Sequence, residues 1–326
     1  MRVLVTGGAG YIGSQTAKAL AQAGHKIVVL DDLSTGHRSA VKWGPLIEGD
    51  LGNKKLVDRV FRKHRIEGVL HFAASLLVGE SMTNPQKYFW NNVVGTLVLL
   101  DTMKARGVKH IVFSSSAATY GNPEKTPIPE DHPKRPMNPY GESKLCMERA
   151  IQWYGAAYGL RGVALRYFNA AGADLDGELG EEHDPETHLV PLVVQAALGQ
   201  RPEVEIYGTD YPTPDGTAIR DFIHVTDLAD AHVRALDYLV GGGESTEFNL
   251  GTGQGHSVRE VVNSVGKISI GPVPFRDAPR RAGDPAVLVA DPSKAQRVLG
   301  WQPRYSDLDT IIQSAWKWHA SKGRTT

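Results

Sequence analysis

The chain carries a single cysteine, Cys146, so it can close no disulfide within itself and offers no set of thiolates for a zinc site. One thiol in 326 residues fits a reducing compartment, and a cytoplasmic location is expected. Net charge is absent too, because 36 Lys and Arg balance 36 Asp and Glu. No overall field therefore gathers nucleic acid or an anionic membrane, and any anionic ligand must be held locally. No apolar run approaches the ~18 residues of a membrane span. Arg2-Val3-Leu4-Val5-Thr6 reads as a core strand where a signal peptide would sit, so neither insertion nor cleavage is expected. Internal repeats and low-complexity tracts are also lacking.

What is present is a globular composition, 41% hydrophobic and 22% charged. At 326 residues the chain exceeds the roughly 250–300 at which one core stops growing, which points to two unequal domains. Short Val/Ile/Leu runs at 3–5, 27–30, 69–72, 111–113 and 163–165 read as strands buried on both faces. Between them, 14–23, 56–64, 91–106 and 140–158 show apolar residues at helical spacing. This β-α alternation predicts an α/β fold with a Rossmann-type doubly wound parallel sheet, since each parallel pair needs a crossover helix. After about Asn169 a Gly-, Pro- and acid-rich stretch (173–186) and a helix over 189–198 begin a smaller C-terminal α/β domain. A helix over 221–239 and a strand at 248–250 return the chain to the first. The predicted division is 1–171 plus about 219–250 for the first domain, with 172–218 and 251–326 for the second.

The first strand runs straight into Gly7-Gly8-Ala9-Gly10-Tyr11-Ile12-Gly13 and then a helix. Glycines at 7, 10 and 13 let the backbone turn sharply, approach a pyrophosphate and pack helix on strand, while the helix N-terminus supplies N–H groups. A Gly-rich turn alone is a weak signal, but here a second strand ends in Asp31 at a suitable interval. A carboxylate there accepts from ribose hydroxyls and repels a 2′-phosphate, which favours NAD over NADP. Asp32 is the alternative acceptor. Asp50-Leu51, after another short strand, could hold the adenine amino group or form an ordinary solvated loop.

Of eleven tyrosines only Tyr140 has a lysine four residues on, Lys144, which places both side chains on one helical face. Ser114-Ser115-Ser116 follows the apolar run 111–113, at the strand end that faces the ligand crevice in a doubly wound sheet. A phenol with pKa near 10 is a poor base at neutral pH, yet the Lys144 ammonium and a positive nicotinamide favour phenolate. Tyr140 could then take a proton from a sugar hydroxyl while Ser116 bonds the same oxygen. The competing reading is an exposed helix after Pro139.

Together with Phe72-Ala73-Ala74, Asn91-Asn92-Val93 and Leu165-Arg166-Tyr167-Phe168-Asn169, these motifs resemble the extended short-chain dehydrogenase/reductase family over essentially the whole chain. Arg220-Asp221-Phe222-Ile223-His224-Val225 and Arg280-Arg281-Ala282-Gly283-Asp284 are similar to its branch that inverts C4 of UDP-hexoses. The resemblance implies Ser116, Tyr140 and Lys144 as catalytic. It implies Gly7, Gly10, Tyr11, Ile12, Gly13, Asp31, Asp50, Leu51, Phe72, Ala73, Asn91, Ser114, Tyr140, Lys144 and Tyr167 at NAD. Ser116, Asn169, Leu189, Arg220, Arg281 and Asp284 would grip a UDP-sugar, with Val204 and Tyr207 at the uracil and Leu288 bordering the space for the C2 substituent. Taken alone, Arg220 and Arg281 read more readily as surface ion pairs, and Leu288 reads equally well as core. The implied activity is interconversion of UDP-galactose and UDP-glucose by transient oxidation at C4. The implied assembly is a homodimer built from the helices at 91–106 and 140–158.

Two positions depart from the family pattern: Leu76 where many members carry lysine, and His188 where many carry asparagine. His183 and His188 flank acidic residues, but no zinc-ligand spacing links them, so no metal is assigned. A 4,6-dehydratase on this scaffold would need an Asp-Glu pair after the catalytic hydroxyl, where this chain has Ala117-Ala118. A non-catalytic nucleotide sensor would not need the Ser116, Tyr140 and Lys144 set.

Overall fold

Strands that are apolar throughout are stable only when helices cover both faces of their sheet. The computed structural model describes residues 1–269, 271–281 and 283–322. The chain begins β1 (Arg2–Thr6), α1 (Tyr11–Gln22), β2 (Lys26–Asp31), β3 (Leu46–Glu48), α2 (Lys54–His64), β4 (Gly68–His71). Two short helices, α3 (Val78–Thr83) and α4 (Pro85–Tyr88), lead through a π-helical turn, Phe89–Val94, into α5 (Gly95–Arg106). β5 (His110–Ser116), α6 (Pro139–Tyr158) and β6 (Arg161–Tyr167) follow.

The alternation then loosens into β7 (Asn169–Ala171), α7 (Leu189–Ala197), β8 (Val204–Tyr207), β9 (Ile219–Arg220), β10 (Phe222–His224) and α8 (Val225–Val240). The remainder is β11 (Thr246–Leu250), β12 (His256–Ser257), α9 (Val258–Ile268), β13 (Phe275–Ala278), β14 (Val287–Leu288), α10 (Ser293–Leu299) and α11 (Leu308–Lys322). The helix read over 221–239 starts only at Val225. Asp221 is fully buried and residues 222–224 pair with β7 as a strand, so burial outweighs the helical periodicity there. Ile270, Ala282 and residues 323–326 lie outside the described residues.

Seven parallel strands form the main sheet in the order β11-β6-β5-β4-β1-β2-β3. Alternate residues of β1 enter different cores. Val3 and Val5 pack with Leu20 of α1 and Leu228 and Leu236 of α8, while Leu4 packs with Val60 of α2, Leu100 of α5 and Met147 of α6. A third apolar cluster joins Val193 of α7, Val265 of α9 and Ile312 of α11 away from the sheet. The strand order reverses at the β1/β4 boundary, and the crevice beyond the carboxyl ends of those strands is where such sheets bind ligands. The glycine turn after β1 and Phe72-Ala73 after β4 both lie at that point.

Candidate active site

The glycine turn has the form an anion requires. Gly7 takes φ +71°, and a Cβ there would lie 2.5 Å from the Ala73 nitrogen; a Cβ on Gly13 would lie 2.1 Å from the Gly7 carbonyl oxygen. Only glycine permits strand, turn and helix to approach this closely. Helix α1 opens at Gly10 with no side-chain cap and no acidic residue in its first turn, so the N–H groups around Tyr11, Ile12 and Gly13 keep their dipole for a phosphate. Asp31, 8% exposed, accepts from the Ala9 and Leu33 amides at 2.9 Å each, which fixes its carboxylate beside the turn. Burial raises its pKa against those two bonds. Asp32 is occupied locally instead, accepting from the Ser34 amide at 2.9 Å and hydroxyl at 2.6 Å.

The other predicted cofactor residues divide by what they touch. Asp50 is exposed and closes its own turn on the Gly52 amide at 2.7 Å, whereas Leu51 is buried beneath Gly95. The Phe72 ring lies 4.7 Å from His232, and the Tyr11 hydroxyl donates to the Gly172 carbonyl at 2.5 Å. Asn91 sits in the π-helical turn, donating to Ser75 Oγ at 3.1 Å. Its neighbour Asn92, which the motif contained without a role, is fully buried. It accepts from the Ser75 amide at 2.7 Å and donates to Ser143 Oγ at 2.9 Å, tying the loop after β4 to helix α6. π-turns of this sort occur frequently at functional sites. Leu76 in the same loop is half-buried.

Helix α6 presents Tyr140 and Lys144 to the end of β5. Asn138 caps it through the Gly141 amide at 2.8 Å, Pro139 occupies the first turn, and Gly141 passes so near the Ala118 carbonyl that a Cβ would sit 2.5 Å away. Lys144 is 3% exposed and donates to the Ser114 carbonyl at 2.8 Å; its Nζ lies 5.9 Å from the Tyr140 ring centroid. Burial pulls this ammonium down to about 7, with Glu148 opposing. Burial raises Tyr140, and a hydrogen bond with Ser116 pulls it back. Ser114 Oγ meets the Tyr167 hydroxyl in a short contact, so the serine strand, Tyr140, Lys144 and Tyr167 form one cluster.

The residues read as sugar-nucleotide ligands are held by contacts of their own. Asn169 is pinned through its amide nitrogen, and its side-chain Nδ2 as well, to the Asp221 carbonyl, each at 3.1 Å. Asp221 accepts from the amides of Thr252, Gly253 and Ala290 at 2.8, 3.1 and 3.1 Å, and so fixes the strand end that bears Arg220. No local pattern marks that buried role. Arg220 donates to the Ile219 carbonyl at 2.7 Å and pairs closely with Asp284, while the Arg281 guanidinium stacks 3.9 Å from the Tyr207 ring centroid. Val204 is buried at the start of β8, and Leu189 begins α7. Leu288 pairs with Arg220 in the β14/β9 ladder, is half-buried, and packs on the cluster of Ala117, Tyr120 and Ile128 beside Ser116.

One group forms that spacing did not reveal. The His183 and His188 rings come within 5.2 Å, and both meet Glu181, with Glu186 alongside. Burial would raise Glu181, but His188 and His183 hold it at about 2; burial would lower His183, but Glu181 and Glu186 hold it at about 10.

A Gly-rich dinucleotide turn, a strand-end aspartate and a Ser-Tyr-Lys cluster on a doubly wound sheet define an extended short-chain dehydrogenase/reductase. The description of the NAD dependent epimerase/dehydratase family matches residues 3–251, and the chain belongs to that family. It is 52% identical over 320 residues to the UDP-glucose 4-epimerase of Lacticaseibacillus casei, covering 98% of this chain and 97% of the relative. The UDP-glucose 4-epimerase of Brucella ovis, solved in complex with NAD, superposes with a TM-score of 0.95 at 54% identity over 97% of each chain. That of Bifidobacterium longum, solved with NAD+ and UDP, gives 0.94 at 39% identity over the whole of both chains. NAD is the cofactor, and the turn built from Gly7, Gly13 and Asp31 fits it.

Asp31→Ala removes a charged acceptor and should weaken NAD by roughly 1.5–3 kcal/mol. Calorimetric titration of the cofactor-stripped protein measures this; tighter binding of NADP than NAD by the wild type would contradict the role given to Asp31. A second expectation concerns Lys144, whose pKa falls from 10.5 to about 7 on folding. Between those values the unfolded chain binds more protons, so this group makes stability rise with pH across the window. Lys144→Met should stabilise the cofactor-free protein below pH 7, by an amount on the order of a few kcal/mol, and the advantage should narrow toward pH 10.5. Urea denaturation of both proteins across pH checks it, and a gap independent of pH would refute it.

Proposed function

We infer that the chain interconverts UDP-galactose and UDP-glucose through transient oxidation at C4. The observation that carries this reading is the Tyr140, Lys144 and Ser116 cluster beside a nucleotide turn, with Ala117-Ala118 standing where elimination chemistry would need an acid and a base. Bound NAD would supply the hydride acceptor and donor for C4. Tyr140 takes the C4 hydroxyl proton as C–H breaks and the carbonyl forms, and gives it back when C–H re-forms on the opposite face. Ser116 bonds the same oxygen, and Lys144 beneath the phenol favours the charged form that accepts the proton. Arg220, Arg281, Asn169, Asp284 and Leu189 hold the nucleotide with Val204 and Tyr207 at the uracil, and the keto sugar turns between the two hydride steps. The cofactor contacts are those of Gly7, Gly10, Tyr11, Ile12, Gly13, Asp31, Asp50, Leu51, Phe72, Ala73, Asn91, Ser114 and Tyr167.

A homodimer through α5 and α6 is part of this reading. It is supported by large apolar side chains left open on and beside those helices: Trp153 is 74% exposed and Trp90 68%. Sedimentation at the mass of one chain would refute it. No helix among the described residues is long and apolar enough to cross a membrane, and we place the enzyme in the cytoplasm. The second unit, 172–218 and 251–326, is read as the UDP-sugar domain.

Purified protein given UDP-galactose should yield UDP-glucose without net NADH, and an accumulating 4-keto-6-deoxy sugar would establish the dehydratase instead. Tyr140→Phe should keep UDP-sugar binding and lose about 10²–10⁴-fold in turnover; turnover near wild type would sink the proton route. Leu288 borders Ala117 with an aliphatic side chain of intermediate size, so UDP-galactose should be preferred with some turnover of UDP-N-acetylgalactosamine. Leu288→Tyr should lower kcat/KM for the acetylated sugar relative to UDP-galactose, and an unchanged ratio would return Leu288 to a packing role.

A further inference from the structure

Four side chains with metal-ligand chemistry meet where the segment before α7 folds back on itself: Glu181, His183, Glu186 and His188. Their ligand atoms all lie within 4.8 Å of one another. His183 Nδ1 is 3.2 Å from Glu181 Oε1 and 3.7 Å from Glu186 Oε1, and His188 Nδ1 meets Glu181 Oε1 in a short contact. Bonds of 2.0–2.1 Å around a tetrahedral zinc ion put ligand atoms about 3.3 Å apart, close to the first two separations. The carboxylate of Glu186 is oriented by the backbone: its Oε1 accepts from the Thr187 and His188 amides at 2.7 and 2.9 Å. Its Oε2 is buried without a hydrogen-bond partner, and the Glu186 side chain is only 6% exposed. A buried carboxylate oxygen with nothing to accept is costly unless a ligand completes it.

We propose that Glu181, His183, Glu186 and His188 bind one divalent transition-metal ion of the zinc type. Two imidazoles and two carboxylates are a mixed nitrogen and oxygen set suited to zinc or cobalt rather than to magnesium or calcium, which take oxygen ligands. Binding would displace the imidazole protons, leaving two carboxylates whose charge balances a divalent ion. His188, with 43% of its side chain exposed, leaves a way in from solvent, while Glu181 closes the inner side. The position gives the ion a mechanical consequence. His183 stands edge-on to the Tyr11 ring at 6.3 Å, and Leu189, directly after His188, opens α7. The ion would therefore tie the segment before α7 together beside the Tyr11 ring of α1.

The test uses the full chain, freed of metal by chelator and dialysed against Zn2+, with bound metal counted by mass spectrometry, and in parallel a Co2+ titration followed by visible absorption. One zinc per chain and the intense bands of four-coordinate cobalt are expected. Glu186→Gln, which preserves shape, should weaken binding by at least about tenfold, and the double variant His183→Ala/His188→Ala should retain no metal. Wild-type protein that keeps no stoichiometric zinc overturns the proposal without reference to any variant. Equal retention by Glu186→Gln and wild type overturns it as well, since the ion would then sit elsewhere.

Discussion

The catalytic helix owes its place to one buried ion pair. Arg166 on β6 donates to Glu148 on α6 at 2.8 and 2.6 Å with both side chains out of solvent, and Ser115 on β5 donates to the same carboxylate at 2.5 Å. Arg166 also donates to the Tyr120 hydroxyl at 2.9 Å, which passes the bond on to Asn249 of β11 at 2.7 Å. A buried pair of this kind adds little net stability over apolar packing, yet losing one partner strands a charge and costs several kcal/mol, so helix and sheet admit only one register. Tyr140 and Lys144 lie about two turns and one turn before Glu148 on that helix. Their distance to the serine strand is thus fixed by a contact that takes no part in the chemistry.

The electrostatics of the cluster follow from the same burial. Lys144 sits with its ammonium against the Ser114 carbonyl and is pulled down to about 7, while the phenol of Tyr140 is pushed up. Low dielectric opposes both charged forms, so the lysine is driven down, the tyrosine up, and the two pKa values move apart. Without ligand the phenol is therefore neutral, and Lys144 alone does not hold it as phenolate. Further positive charge in the crevice would favour phenolate, which is the form the proposed proton transfer needs.

How much of this was legible in the sequence depended on whether the signal was local. The turn at Gly7, Gly10 and Gly13, the strand end at Asp31 and the pair Tyr140 and Lys144 each sit within one element, and periodicity places elements well. The buried strands 3–5, 27–30 and 111–113 were visible for the same reason. The helix start at Val225 was not, since residues 221–224 carry helical periodicity but are claimed by pairing with β7 and by four hydrogen bonds to the Asp221 carboxylate. Asn92 reads as part of a motif, but its bridge from Ser75 to Ser143 depends on a fold contact 51 residues away. The Glu181, His183, Glu186 and His188 group escaped because its spacing fits no zinc pattern, and only the turn of the chain brings the four together.

The two ends of the proposed substrate crevice differ in kind, and that difference suits C4 inversion. At the nucleotide end Arg220 is held by Asp284 and the Ile219 carbonyl, and Arg281 lies flat on Tyr207, so two guanidinium groups are oriented before ligand arrives. Such groups lose little entropy on binding a pyrophosphate, which concentrates affinity there. Beside Ser116 stand Ala117, the neighbouring Ala118 and the half-buried Leu288, side chains without a donor or acceptor. A wall of oriented hydrogen bonds at that end would stabilise one face of the hexose and resist its turning, and binding that does not grow toward the transition state does not raise kcat. On the proposed reading, polar contact at the diphosphate and apolar contact at the sugar would let the nucleotide stay fixed while either face of the keto sugar is presented to the Tyr140 hydroxyl.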